Sequence, residues 1–203
     1  MRNVLGQWLC NSCISGYELG KAGEILCALI REQKTEMARN LLQKGFPCTC
    51  VENDKNPLVE AFDLNNLEIM KLLVEAKADV NHGNPATLIW KCLYNDENYE
   101  KLVILLDSEI VDLQKRYSPS GTSMSYLVFA TFCDVGSTRM MKTLLEHGCD
   151  PNETTQTSTG EISLLERALR TYSGEKVRLL IEYKADVSVI GNCSKDKLSE
   201  ILE

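Results

Sequence analysis

The chain has 203 residues, of which 44% are hydrophobic, 25% charged and 6% aromatic. Shares this close to the globular average exclude an intrinsically disordered chain, and the length suits one domain or two very small ones. Twenty-two Lys and Arg stand against 29 Asp and Glu, so the net charge is −7. That excludes a surface built for nucleic acid or an anionic membrane, because those partners reward clustered positive charge.

In chain order, Val4, Leu5, Trp8 and Leu9 are spaced for one face of a short helix, which Gly16 and Gly20 are expected to break. Met1 to Leu9 carries no sustained apolar run and reads poorly as a signal peptide. No apolar run approaches the ~20 residues that span a bilayer. The expectation is a soluble, intracellular protein of the cytoplasm or nucleus. The glycosylation patterns at Asn152 and Asn192 carry no weight without an export signal.

One segment then recurs along the chain. It reads MARNLLQKGFPCT from Met37, IMKLLVEAKADVN from Ile69, KLVILLDSEIVDL from Lys101, MMKTLLEHGCDPN from Met140 and KVRLLIEYKADVS from Lys176. The intervals are 32, 32, 39 and 36 residues. Each copy predicts an amphipathic helix that breaks into a short extended stretch. About a dozen residues earlier lies a second short apolar helix, at Leu26–Leu29, Leu58–Phe62, Ile89–Leu93, Leu127–Ala130 and Leu165–Leu169. A pair of short helices cannot bury its apolar face alone, whereas stacked pairs bury one continuous core with contacts between neighbours.

The pattern resembles the ankyrin-repeat family. Asn56-Pro57-Leu58-Val59-Glu60-Ala61 stands where the family opens with Thr-Pro-Leu-His-Leu-Ala, and Asn65-Asn66 stands at its Gly-His turn. Ala78-Asp79-Val80-Asn81 closes that unit. The fourth keeps Glu146 to Asn152, and the fifth keeps Lys184-Ala185-Asp186-Val187. The resemblance covers roughly residues 22 to 192, near the family's period of ~33 residues. It implies an all-α ankyrin-repeat solenoid of stacked helix-turn-helix units with protruding loops or hairpins. The units are placed at 22–53, 54–84, 85–122, 123–160 and 161–192. Residues 1–21 form an N-terminal cap, and 193–203 a capping helix that Ser194 would N-cap, with Leu198, Ile201 and Leu202 as its stripe.

The departures are informative too. Cys27, Val59, Trp90, Val128 and Glu166 replace the family's histidine, which ties neighbouring loops, so looser loops are expected. Only Gly45 and Gly148 occupy the glycine after the second helix, with Lys77, Glu109 and Lys184 there elsewhere. The longer units carry insertions at Lys115 to Thr122 and Thr154 to Gly160. Their Ser, Thr, Gly and Pro predict loops, on the face that repeat proteins often use for binding.

Nine cysteines stand at 10, 13, 27, 48, 50, 92, 133, 149 and 193. Their odd number and apolar surroundings read as reduced core thiols rather than a disulfide framework. Cys10-x-x-Cys13, with Cys48 and Cys50, is the one candidate for four zinc ligands, but the second pair is spaced too tightly for a standard site. His82 and His147 fall on different units, and no Gly-rich phosphate loop appears. No metal, no cofactor and no catalytic group are expected.

By resemblance, such arrays are non-catalytic scaffolds that bind another protein through a concave face and long loops, here as a monomer. The family's exposed positions fall on Glu52, Asn53, Lys55 and Asp63, on Asn84, Tyr94 and Asn95, on Phe132, and on Arg170 and Thr171. Tyr117 in the long third loop adds an aromatic, a typical interface anchor. Residues 1–50 hold six basic and four acidic residues, so the −7 charge lies entirely beyond residue 50. That balance is consistent with an ordinary acidic surface or with steering of a basic partner segment. Two alternatives remain: a zinc or thiol protein organised around Cys10 and Cys13, and a pathogen or viral effector using the same scaffold on a host target.

Overall fold

The computed structural model describes residues 16–48, 56–81, 88–114, 116, 124–132, 138–157 and 160–202. The cap residues Val4 to Leu9, the cysteines 10, 13, 50 and 133, His82 and most of the Lys115 to Thr122 insertion lie outside them. Among the described residues no helix is long and apolar enough to cross a membrane.

The chain divides into two compact units, Met1–His82 with Val103–Val111, and Gly83–Leu102 with Asp112–Glu203. The first contains α1 (Gly16–Arg31), α2 (Thr35–Gln43), α3 (Pro57–Asp63) and α4 (Leu67–Glu75). Within it α1 packs on α3 and α2 on α4, so first helix lies beside first helix and second beside second. Helix α1 starts at Gly16 and continues through Gly20. Gly20 therefore lies inside a helix, while the Val4 to Leu9 helix that the glycines are expected to break lies outside the described residues. The cost of Gly20, ~1 kcal/mol, is outweighed by a sixteen-residue helix whose Ala22, Leu26, Cys27 and Ile30 are buried.

The second unit contains α5 (Leu88–Leu93) and a 3-10 turn at Asp96–Asn98. It continues with α7 (Tyr126–Phe132), α8 (Thr138–Glu146), β1 (Thr154–Thr157), β2 (Gly160–Ser163), α9 (Leu164–Arg170), α10 (Gly174–Glu182), a second 3-10 turn (Val187–Val189) and α11 (Asn192–Leu202). Helix α6 spans Tyr99–Leu106. In this unit α5, α7 and α9 pack in succession, as do α8 and α10, while α11 covers α9 and α10. Strands β1 and β2 pair antiparallel with Thr155 opposite Ile162. The Thr154 to Gly160 insertion is thus a hairpin rather than an irregular loop. Its threonines suit an extended backbone, and the Glu153 carbonyl prolongs the ladder to Leu164 N at 3.1 Å.

The same local chemistry builds each helix pair. Asn56 accepts from Leu58 N and Val59 N, Ser125 from Val128 N, and Ser163 from Glu166 N. These N-caps stand where the family's opening threonine does, and Pro57 takes the first turn of α3. The second helices close with paired bonds typical of a left-handed stop. Phe46 N reaches Leu41 O, Ala78 N reaches Leu73 O, Cys149 N reaches Leu144 O and Ala185 N reaches Leu180 O. Gly45 and Gly148 supply the left-handed residue, and Lys77 and Lys184 adopt it as well, with φ 63° and 70°. Glu109 does not, so the third unit ends differently from the others. The residue after each left-handed stop is buried in all four cases, which is why Cys149 sits in the core.

The repeat core is also position-specific. Leu73 is fully buried, whereas Leu72 is only partly covered. Leu73→Ala should cost about 2–5 kcal/mol and Leu72→Ala clearly less, measured as urea midpoints at unchanged slope. Equal losses would mean the helix register is wrong.

Candidate functional site

The site is built from the first helices. Glu60, Lys91, Phe129 and Arg167 share one position of that helix, and Asp63, Tyr94, Phe132 and Arg170 share the position three residues on, which lies on the same face. A diagonal contact joins the later position of one repeat to the earlier position of the next. In the first unit Arg31 forks onto Glu60 at 2.7 and 2.8 Å. In the second unit the Tyr94 ring meets the Phe129 edge at 4.8 Å, and the Arg167 guanidinium lies 3.2 Å over the centre of the Phe132 ring. One geometric slot therefore holds an ion pair, an aromatic pair and a cation on a ring.

Tyr94 follows α5 and remains 54% exposed although Phe129 orients it. Behind it Trp90 is buried, with ring centroids 5.0 Å from both Tyr126 and Phe129. Asn95 caps the first 3-10 turn through Glu97 N and is exposed. Asp63 is exposed at the end of α3, and Phe132 is partly covered. Arg170 is exposed, with its Nε bonded to Glu166 Oε1 at 2.8 Å, and Thr171 closes α9 by donating to Ala168 O. Tyr94, Asn95, Phe132, Arg170 and Thr171 all belong to the second unit and Asp63 to the first. Glu52, Asn53, Lys55, Asn84 and Tyr117 lie outside the described residues. The positions one turn earlier, Phe129 and Arg167, are absent from the sequence reading. The helical spacing back from Phe132 and Arg170 would have found both.

Glu166 occupies the family's histidine position and performs a tying role that loose loops would lack. Its Oε2 accepts from Gly191 N at 3.0 Å, and its Oε1 accepts from Ser194 Oγ at 2.9 Å and from Arg170. Burial works to raise the pKa of this carboxyl. The bonds from Arg170, Gly191 and Ser194 outweigh that, and it lies below the ordinary carboxylate range. Ser194 is therefore not the cap of α11. It lies inside that helix, and its hydroxyl is spent on Glu166.

A cleft of about 510 Å³ opens beside the hairpin, lined by Thr154, Glu161, Ile162, Glu166, Arg170, Asp186 and Val189 among others. It carries three carboxylates and one guanidinium. The side chain and backbone N–H of Ser188 hold the Asp186 carboxyl below its usual value. Thr154 Oγ1 donates to Glu161.

Among the described residues, the remaining titratable groups do not form a reactive centre with these. Cys27, Cys48, Cys92 and Cys149 are buried and stand outside any disulfide. Burial pushes Cys92 and Cys149 up to about 12, and raises Cys48, whose Sγ donates to Ala76 O. At neutral pH Cys48, Cys92 and Cys149 stay protonated, and a protonated thiol is neither nucleophile nor metal ligand. His147 donates from Nδ1 to Thr143 O at 2.8 Å. Among the described residues no cluster of His, Cys, Asp and Glu has the geometry of a metal site.

No family model and no curated protein matches the chain. Solved structures do. The ankyrin repeat protein EF0377 is 24% identical, with 87% of this chain and 95% of that one covered at a TM-score of 0.59. The ankyrin repeat domain of Bcl-3, described as a unique member of the IκB protein family, is 22% identical over 81% of this chain and 73% of that one, at a TM-score of 0.57. An ankyrin repeat domain from Acinetobacter baumannii is 17% identical over 87% of this chain and 95% of that one, at 0.60. Paired helices closed by the same caps and stops, contacts that run from each repeat to the next within each unit, and this likeness agree: the chain has the ankyrin-repeat fold.

Proposed function

We propose that the chain is a non-catalytic protein-binding module, and that its partner docks on the first-helix face of the second unit. The observation that carries this reading is Tyr94, a large aromatic that stays more than half exposed while Phe129 fixes its ring. A rigid, exposed aromatic is the side-chain pattern of an interface anchor. Tyr94, Asn95, Phe132, Arg170 and Thr171 are the contact residues of the second unit; Asp63 of the first unit, and Glu52, Asn53, Lys55, Asn84 and Tyr117 outside the described residues, are further contact residues proposed from the family's register. The module acts without a cofactor and as a monomer. The cleft beside the hairpin, with Glu161, Glu166 and Asp186 outnumbering Arg170, suits a basic stretch of the partner, which would gain on-rate and selectivity from that charge.

Affinity capture from native lysate tests the reading. The wild-type chain should retain a defined partner that a Tyr94→Ala/Arg170→Ala variant recovers at least about tenfold less, the loss typical of interface anchors. Recovery of the same partners by both, from equally folded protein, would contradict it.

A further inference from the structure

Arg167 is the residue of this face whose charge is unanswered. Its guanidinium carbon lies 3.2 Å over the centre of the Phe132 ring, and its Nε is buried with no acceptor. Arg31 and Arg39 pair with Glu60 and Glu68, Arg116 with Glu153, Arg139 with Asp96, and Arg170 with Glu166. Arg178 donates to Ile201 O. Arg167 alone among these described arginines has only an aromatic ring for company. Burial pulls its pKa down, as expected of a cation partly withdrawn from water without a counter-charge. A carboxylate delivered by a partner would supply the counter-charge that the free protein lacks.

We infer that Arg167 is the receptor for a carboxylate on the bound partner: an Asp or Glu side chain in an extended segment, flanked by an apolar residue that rests on Tyr94 and Phe132. The chemistry fits in three respects. The planar guanidinium is preorganised by the ring beneath it, so little side-chain freedom is lost on binding. Its terminal nitrogens match the fork of a carboxylate. Arg170, one turn on, is already held by Glu166, which leaves Arg167 as the open cation of the pair. The acidic residue at Arg167 and a basic residue in the hairpin cleft belong to one segment of alternating charge. This inference rests on the protein-binding reading above.

An array of random extended peptides, probed with the purified full chain, tests it. Wild-type binders should be enriched in Asp or Glu, and that enrichment should vanish with Arg167→Gln. For one binder, Asp→Asn in the peptide and Arg167→Gln in the protein should each weaken binding about tenfold. Together they should do little more than either alone, because they break the same contact. Arg167→Lys keeps charge and stem but loses the fork, and should fall between the two. It also serves as the test variant if Arg167→Gln disturbs Phe132 packing. Binders that depend on Tyr94 yet show no acid preference, or keep that preference with Arg167→Gln, would overturn the role of Arg167 and leave the binding reading intact. Absence of any Tyr94-dependent binder would overturn both.

Discussion

Glu166→Ala is expected to cost about 3 kcal/mol of unfolding free energy, because it strands the buried Ser194 hydroxyl and the Gly191 N–H together. Arg170→Ala, which removes the half-exposed partner of the same carboxylate, should cost under about 1 kcal/mol. The difference locates the effect in the tie between α9 and the segment entering α11 rather than in the ion pair. Urea midpoints measure both, and amide exchange should show α11 opening first in Glu166→Ala. Equal losses in the two variants would mean the ion pair, not the loop tie, is what Glu166 contributes.

The same residue sets a pH dependence. Its folded pKa lies below the ordinary value, so its stabilisation is present above the unfolded carboxylate pKa of about 4.3 and is lost as the pH falls through the folded one. The stability gap between wild type and Glu166→Gln should therefore be full at neutral pH and shrink below about pH 4. Glu153 acts in the opposite direction. Burial raises its pKa, against smaller lowering from Ser125 and Arg116, so its contribution is present at low pH and lost as the pH rises through its folded value. The comparison with Glu166→Gln cancels that term, which the wild-type profile alone would not.

Trp90→Ala should cost about 3–5 kcal/mol, as for other large aromatics removed from a packed core. Trp90 stands at the family's histidine position, and in place of a polar tie it contributes volume. Tyr126 and Phe129 close over it, and Phe129 in turn orients Tyr94. The substitution should therefore lower stability and loosen Tyr94 together, read as a urea midpoint and as the near-ultraviolet circular dichroism of the ring cluster. A stable Trp90→Ala variant with an unchanged aromatic signal would mean that the cluster does not hold the site.

The repeat period was legible because helix-forming Leu pairs recur with the apolar stripe, and burial follows that stripe closely. Helix ends were less legible. Lys77 and Lys184 adopt a left-handed backbone that their side chains disfavour, because the paired carbonyl bonds and the buried residue that follows hold them there. Gly20 lies within α1 because burial of its apolar face overrides local propensity. In sequence the hairpin reads as a loop, since Thr-rich polar stretches serve both and the pairing of Thr155 with Ile162 is set by partners seven residues apart. At the site, the exposed row at Tyr94, Phe132 and Arg170 follows from the family's register. Its meaning does not, because Tyr94 and Phe132 are each defined by a neighbour 35 positions away that a single helix cannot reveal. Helical spacing finds the positions of Phe129 and Arg167, but the contacts they make, with Tyr94 and with Phe132, appear only once successive repeats are side by side.

Hydroxyl-radical footprinting of the chain with and without its captured partner tests the binding face most directly. Tyr94 and Tyr172 are both exposed, at 54% and 68%, and so both oxidise in the free protein. The partner should protect Tyr94 and Phe132 while Tyr172, at the turn between α9 and α10, is oxidised as before. Protection of Tyr172 with Tyr94 left open would contradict it.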